Sequence, residues 1–262
     1  MILKTMFEKS WHQAGSVFRL SYSIAKANFK IRNEGSYLGV FWYLLNPLAL
    51  FLIILFVRKA IDMGDVPAYP AYLLVGLIMF NYFRSTTSAA IGDISGNSNY
   101  IKSMKISYEP LVFSRIIESV FSHIFEIVLI IVLLIFFNES LIGILFYPFL
   151  FFFFVLFVSG VSFFLSTIGT FVSDLSNVWN VFMQFLFFTT PIFYVVNPGD
   201  SVYSANLFNP MFYFLSVGRD IIVYRAFPES WMIAAIVLFS CVTFFAGFVI
   251  FEKNKHKFAE RV

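Results

Sequence analysis

The chain has 262 residues, of which 60% are hydrophobic and 13% charged, with a formal net charge of +3. Soluble domains carry about 45–50% apolar and about 25% charged residues, so a water-soluble globular fold is excluded: too few polar residues exist to cover such a core. The 38 phenylalanines suit lipid contact and interfacial belts, and the expected class is an all-α integral membrane protein.

In chain order, the first segment is basic and lacks the uninterrupted apolar core of a signal peptide, because Arg19, Lys26, Lys30 and Arg32 break it. Within residues 17–33, Arg19, Ser23, Lys26, Lys30 and Asn33 recur at helical spacing, and Val17, Leu20, Ile24, Ala27 and Ile31 form an apolar face widened by Phe18, Tyr22 and Phe29. That pattern predicts an amphipathic helix lying in the cytoplasmic interface. Six spans of about 20 residues follow, at 38–57, 71–90, 116–137, 141–169, 177–196 and 231–251. The fourth is long enough to tilt or to bend near Pro148, and Pro191 is expected to kink or end the fifth. Residues 92–107 are too polar to cross a bilayer, yet Tyr100, Ile101, Met104 and Ile106 give them an apolar side beside Lys102 and Lys105, as a docking helix would have.

Orientation follows from Lys and Arg by loop. The N-terminal segment, the second-to-third connection and the tail hold thirteen, against four on the opposite side (Arg58, Lys59, Arg219 and Arg225). Both termini are therefore expected in the cytoplasm.

No G-x-x-x-x-G-K-[ST] phosphate loop occurs, so no nucleotide site of that kind is expected in this chain. His12, His123 and His256 are scattered, no metal-ligand spacing exists, and no Ser/His/Asp set suggests an enzyme. The informative residues are ionisable groups at membrane depth. Arg84 lies about six residues, roughly 9 Å, inside the second span, and Glu118 a similar distance inside the antiparallel third. Pairing between Arg84 and Glu118 is expected to lock the two spans. His123 and Glu126 form either a proton relay or a helix contact.

Residues 32–47 (RNEGSYLGVFWYLLNP), 99–111 with Glu109-Pro110-Leu111, Asp174-Leu175, Thr190-Pro191-Ile192-Phe193-Tyr194, and Asn209-Pro210 followed by Arg219 occur in an order that resembles the type-2 ATP-binding cassette exporter permeases. The resemblance is to the polysaccharide and polyol-phosphate branch (O-antigen, capsule, teichoic acid) and covers nearly the whole chain. Departures are Ile106-Ser107 where the family often has Phe-Pro, and Ser173 where it often has Arg. The resemblance implies a homodimer in the bacterial cytoplasmic membrane. Each copy would bind a separate ATPase subunit that holds ATP and Mg, with no cofactor in this chain and no nucleic acid.

It also implies roles for the segments. Residues 92–107 become a coupling helix, with Tyr100, Ile101, Lys102, Met104 and Lys105 meeting the ATPase. Residues 17–33 become a gate helix near the entry of a lipid-linked polysaccharide, and 197–230 form re-entrant helices. Sugar C–H faces stack on rings, which makes Trp42, Tyr43, Tyr82, Phe193 and Tyr194 the expected channel lining. Open alternatives are the same fold exporting a drug or small lipid, a proton-coupled secondary transporter using His123 and Glu126, and a membrane-embedded transferase.

Overall fold

A computed structural model describes residues 2–34, 37–60, 66–97 and 107–258, and their side chains other than those of 2–14 and 60. Among the described residues all regular structure is helical. The helices are α1 (Ile2–Glu34), α2 (Trp42–Ala60), α3 (Tyr69–Ala90), α4 (Asp93–Gly96), α5 (Glu109–Phe136), α6 (Tyr147–Phe171), α7 (Leu175–Thr189), α8 (Ser201–Asn206), α9 (Pro210–Arg219) and α10 (Ser230–Phe258). Among the described residues, four segments are long and apolar enough to cross a membrane: Gly39–Lys59, Glu109–Phe136, Tyr147–Phe171 and Ser230–Phe258.

Prolines set several helix starts, because the ring fits the first turn, where the missing N–H costs nothing. Pro148 is one of these: it opens α6 instead of bending it, and residues 142–145 form a separate 3₁₀ turn ahead of it. Pro191 limits α7 in the same economical way. The helix stops at Thr189, and Thr190 turns the backbone extended (φ −78°, ψ 135°).

Packing centres on α3, whose side chains from Tyr69 to Phe83 are almost all buried, and on a close contact between α6 and α10. A Cβ built on Gly160 would collide with the backbone of Thr243, and one on Gly247 with the carbonyl of Gly160, so the two helices touch backbone to backbone. Ser240 adds a 2.9 Å hydrogen bond to the carbonyl of Phe153. Small residues and inter-helix hydroxyl bonds are the means of association in lipid, where no hydrophobic force drives helices together.

α1 packs along α5 through only part of the apolar face that its spacing suggested. Ser21 and Ala25 are buried, with Phe29 edge-on to Phe121 and stacked on Phe125, while Ala27 and Ile31 are exposed. Small side chains at 21 and 25 permit the close approach. The larger Phe18, Tyr22 and Ile31 face outward. Arg19, Lys26, Lys30 and Arg32 are all exposed on this helix, Lys30 in a 3.3 Å pair with Glu34.

Candidate translocation site

The helix α7 has one face that does not suit lipid. Asn177, Asn180 and Gln184 fall at i, i+3 and i+7, which places them in one stripe, and all three are exposed, as is Ser173 one turn earlier. The helix is held to α3 by two contacts: Trp179 donates an indole hydrogen bond to the Thr87 hydroxyl at 3.1 Å, and Phe187, one turn beyond Gln184, meets Phe80 edge to face. On α3 the neighbouring exposed residues are Arg84 and Ser85. Trp42, at the start of α2, is also half exposed.

Beyond α7 the chain from Pro191 to Val196 is not helical, and the carbonyls from 189 to 194 are taken up one by one. Tyr194 Oη and Asn206 Nδ2 donate to Thr189 at 2.7 and 3.1 Å, and the Ile192 amide to Thr190 at 2.7 Å. Arg219 donates to Pro191 at 2.7 Å and to Ile192 at 2.8 Å. Tyr69 Oη donates to Phe193 at 2.8 Å and Tyr72 Oη to Tyr194 at 2.7 Å. Buried irregular backbone is tolerated when protein groups satisfy it, and the carbonyls from 189 to 194 all meet that requirement.

The Arg219 guanidinium also lies over the Tyr72 ring, 3.5 Å from its centroid, and is 4% exposed. Gly76 makes room: a Cβ there would stand 2.6 Å from a guanidinium nitrogen. Asn209 caps α9 through the Met211 amide and donates to the Thr190 hydroxyl at 2.8 Å. The separate sequence signals at 190–194, 209–210 and 219 thus form one assembly.

At the opposite end of α3 stands a chain of charges. Glu118, 1% exposed, accepts from Arg32 at 2.9 Å and from Arg115 at 2.8 Å, and Arg115 reaches on to Asp93 at 2.9 Å. Burial pushes the Asp93 carboxyl up to about 6, against the opposing pull of Arg115. The expected Arg84–Glu118 pair does not form: the two arginines nearest in space occupy both carboxylate oxygens, and Arg84 points to an exposed face with no acidic partner among the described residues. Arg32, assigned to the gate helix, is therefore also the partner that Glu118 uses, and it covers the Tyr43 ring at 4.8 Å.

His123 and Glu126 lie in a closed network. His123 Nδ1 meets Glu126 Oε2 at 2.7 Å, His123 Nε2 meets Tyr147 Oη at 2.7 Å, and Asn81 donates to Glu126 Oε1 at 2.5 Å. Phe151 stacks on the imidazole at 4.5 Å. Three helices are tied together by these bonds. Tyr147 and Asn81 carry no sequence signal of this role; only three-dimensional proximity reveals them.

The expected ring lining divides. Trp42 is exposed, whereas Tyr82 is enclosed between His123, Phe151 and Phe154, which removes it from any path in this conformation. Tyr43 is stacked between Phe29 and Phe125. Phe193 and Tyr194 are half-buried, and Tyr194 holds the end of α7. Tyr100, Ile101, Lys102, Met104 and Lys105 lie outside the described residues.

A helical bundle with four described segments long and apolar enough to cross a membrane marks the class as a membrane protein. The sequence profile of the family described as ABC-2 type transporter matches residues 19–223, and the chain belongs to that family. Among characterised relatives, an O-antigen export system permease protein RfbA of Klebsiella pneumoniae is 25% identical over 255 residues, covering 96% of this chain and 98% of the relative. The RfbA protein of Myxococcus xanthus is 22% identical over 247 residues, 93% of this chain and 95% of that protein. The polysialic acid transport protein KpsM of Escherichia coli is 21% identical over 223 residues, 83% and 86% of the two chains.

Proposed function

We propose that this chain is the membrane-spanning permease of an ATP-binding cassette exporter that carries a lipid-linked polysaccharide, of the O-antigen or capsule kind, across the bacterial cytoplasmic membrane. The observation that carries the reading is similarity along nearly the whole chain to permeases of O-antigen and polysialic acid export. The exposed amide stripe of α7 agrees with it, because amides facing lipid are costly whereas a hydrated glycan path uses them.

In this reading α3 and α7 complete a set of six spans, and both termini lie in the cytoplasm. Two copies face each other across α2, whose outer surface, with Leu52, Ile53 and Phe56, is apolar and uncovered by the rest of the chain. ATP and Mg belong to a separate ATPase subunit, which pushes on residues 92–107. The Asp93–Arg115–Glu118–Arg32 chain then joins that push to α1, the gate helix. Rotation of α7 against α3 opens the path past Asn177, Asn180 and Gln184. The segments α8 and α9 close its outer end as re-entrant helices.

The test is deletion of the gene in its native strain and complementation with and without an active ATPase partner. Surface polysaccharide should vanish on deletion and return only when both proteins are present. Return without the ATPase would refute the proposal and favour gradient-driven transport.

A further inference from the structure

A cavity of about 420 Å³ opens at the end of the bundle opposite the Asp93–Arg115–Glu118 chain. Its walls come from the 142–145 turn, the first turns of α6 and α10, and the π-turn Asp220–Tyr224 with the residues that follow it. The walls are almost wholly apolar, with Phe146, Phe149, Phe153, Ile233 and Val237 prominent. The cavity is built in: a Cβ on Gly143 would overlap the carbonyl of Ile221, so only glycine lets the two turns close on each other.

Its mouth is charged. Arg225 lines the cavity with its side chain 55% exposed, held there by a left-handed backbone (φ 54°) and by the Ala226 amide bonding to Asp220. Glu139 stands 3.8 Å from the guanidinium, fixed by its own amide bond to Leu134 at 2.8 Å. At that separation the two charges attract but form no hydrogen bond, so both keep donors and acceptors for another molecule.

An apolar slot with a cation and an anion side by side at its mouth selects for the ligand. A purely anionic head group would be repelled by Glu139, and a purely cationic one by Arg225. We propose that the cavity holds an acyl chain of a phospholipid whose head carries both phosphate and a primary ammonium, the phosphate on Arg225 and the ammonium on Glu139. The volume lies in the range of small-molecule pockets, and the exposed rings of Phe146 and Phe149 place the opening toward lipid. The site rests on the membrane-spanning reading of α5, α6 and α10, but not on the cargo or the ATPase.

The test is native mass spectrometry of the purified full chain after incubation with equimolar phosphatidylethanolamine and phosphatidylglycerol in detergent. Wild type should retain the ethanolamine lipid about tenfold over the glycerol lipid, the equivalent of one charge-assisted hydrogen bond. Arg225→Asn keeps a residue that tolerates the left-handed backbone and should lose the retained lipid. Glu139→Gln should keep a lipid adduct but lose the preference between the two heads. Val237→Trp should fill the slot and displace both. Equal retention of both lipids by wild type, or an unchanged adduct in Arg225→Asn and Val237→Trp, would overturn the proposal. So would dissociation of a dimer by Val237→Trp on light scattering, which would make the cavity an interface between copies. None of these readouts uses export, so they fail independently of the transport reading.

Discussion

Arg219 donates from a buried position to the carbonyl oxygen of Ile192, 2.8 Å away, across the gap between α9 and the end of α7. The same guanidinium serves Pro191 and Tyr72, so one side chain on α9 supplies donors to α3 and to the non-helical backbone that follows α7. Its charge is spread over carbonyl dipoles and the Tyr72 face, with no acid bonded to it among the described residues.

Arg219→Ala leaves the carbonyl of Ile192 without its donor and that of Pro191 with only the 3.4 Å bond from Tyr72 Oη. Each unsatisfied buried group costs about 1–3 kcal/mol, so the variant should lose several degrees of melting temperature in detergent and most export. Arg219→Lys, with one compact ammonium in place of a planar fork, should recover only part. Gly76→Ala should resemble the alanine variant, because its methyl group would stand where the guanidinium is. Wild-type melting of Gly76→Ala would refute this account.

The Glu118 pairs predict a pattern of couplings. Arg32 is half exposed, so its pair with Glu118 should couple by only about 0.5–1 kcal/mol in a double-mutant cycle. Arg115, three-quarters covered, should couple more strongly with the same carboxylate. Arg84 with Glu118 should show no coupling. Thermal melts of the single and double alanine variants supply each cycle, and a larger Arg84 term than Arg32 term would contradict the geometry.

Asp93 gives a pH dependence with a definite sign. Its folded carboxyl titrates near 6 against an ordinary 3.8, so the folded state binds the proton more tightly. The stability that comes with that proton is present at low pH and is lost as pH rises through 6. Two units correspond to about 3 kcal/mol. Asp93→Asn should therefore melt above wild type at pH 7.5, with the gap shrinking toward pH 5. A gap that widens on acidification would show that the ion pair with Arg115 outweighs burial.

Much of the fold was readable because apolar runs of membrane length have few alternatives. Pro191 and Pro148 also mark chain breaks by the geometry of the ring alone. The partners of Arg219 were not readable, because backbone carbonyls at 191 and 192 leave no mark in a sequence. The Arg84–Glu118 expectation failed for a related reason: depth along a helix is countable, but which helix each face meets is not, and Glu118 meets Arg32 and Arg115. In α1 the same ambiguity concealed Ser21 and Ala25, since small residues read as neutral in a hydropathy pattern. The amides at 177, 180 and 184 share one helical stripe by spacing, but three amides in a long apolar run are a weaker signal than the rings of Trp42, Tyr43 and Tyr82.

Coupling through residues 92–107 predicts that Lys102→Glu with Lys105→Glu abolishes export while insertion persists. Membrane fractionation and ATPase rate measured together would check it. Hydrolysis that continues without surface polysaccharide is the expected outcome, and unchanged export would remove the lever.

The stripe on α7 separates a lipid-facing helix from a lumen-facing one. If Asn180 and Gln184 met lipid, leucine in their place would be a gain, since burying amides in hydrocarbon costs free energy and leucine does not. Stability would rise and export would be unaffected. If they line a hydrated path, Asn180→Leu with Gln184→Leu removes the polar contacts a sliding sugar chain exchanges with water, and export should fall at least about tenfold, a barrier increase of about 1.4 kcal/mol. Val178→Leu and Phe182→Leu lie on the other flank of the same exposed helix and make equivalent changes in bulk without touching the stripe. They should leave export within about twofold of wild type, a change below about 0.5 kcal/mol. Surface polysaccharide measured against permease abundance in the membrane compares the two pairs directly, and equal effects from both would place the path elsewhere in the bundle.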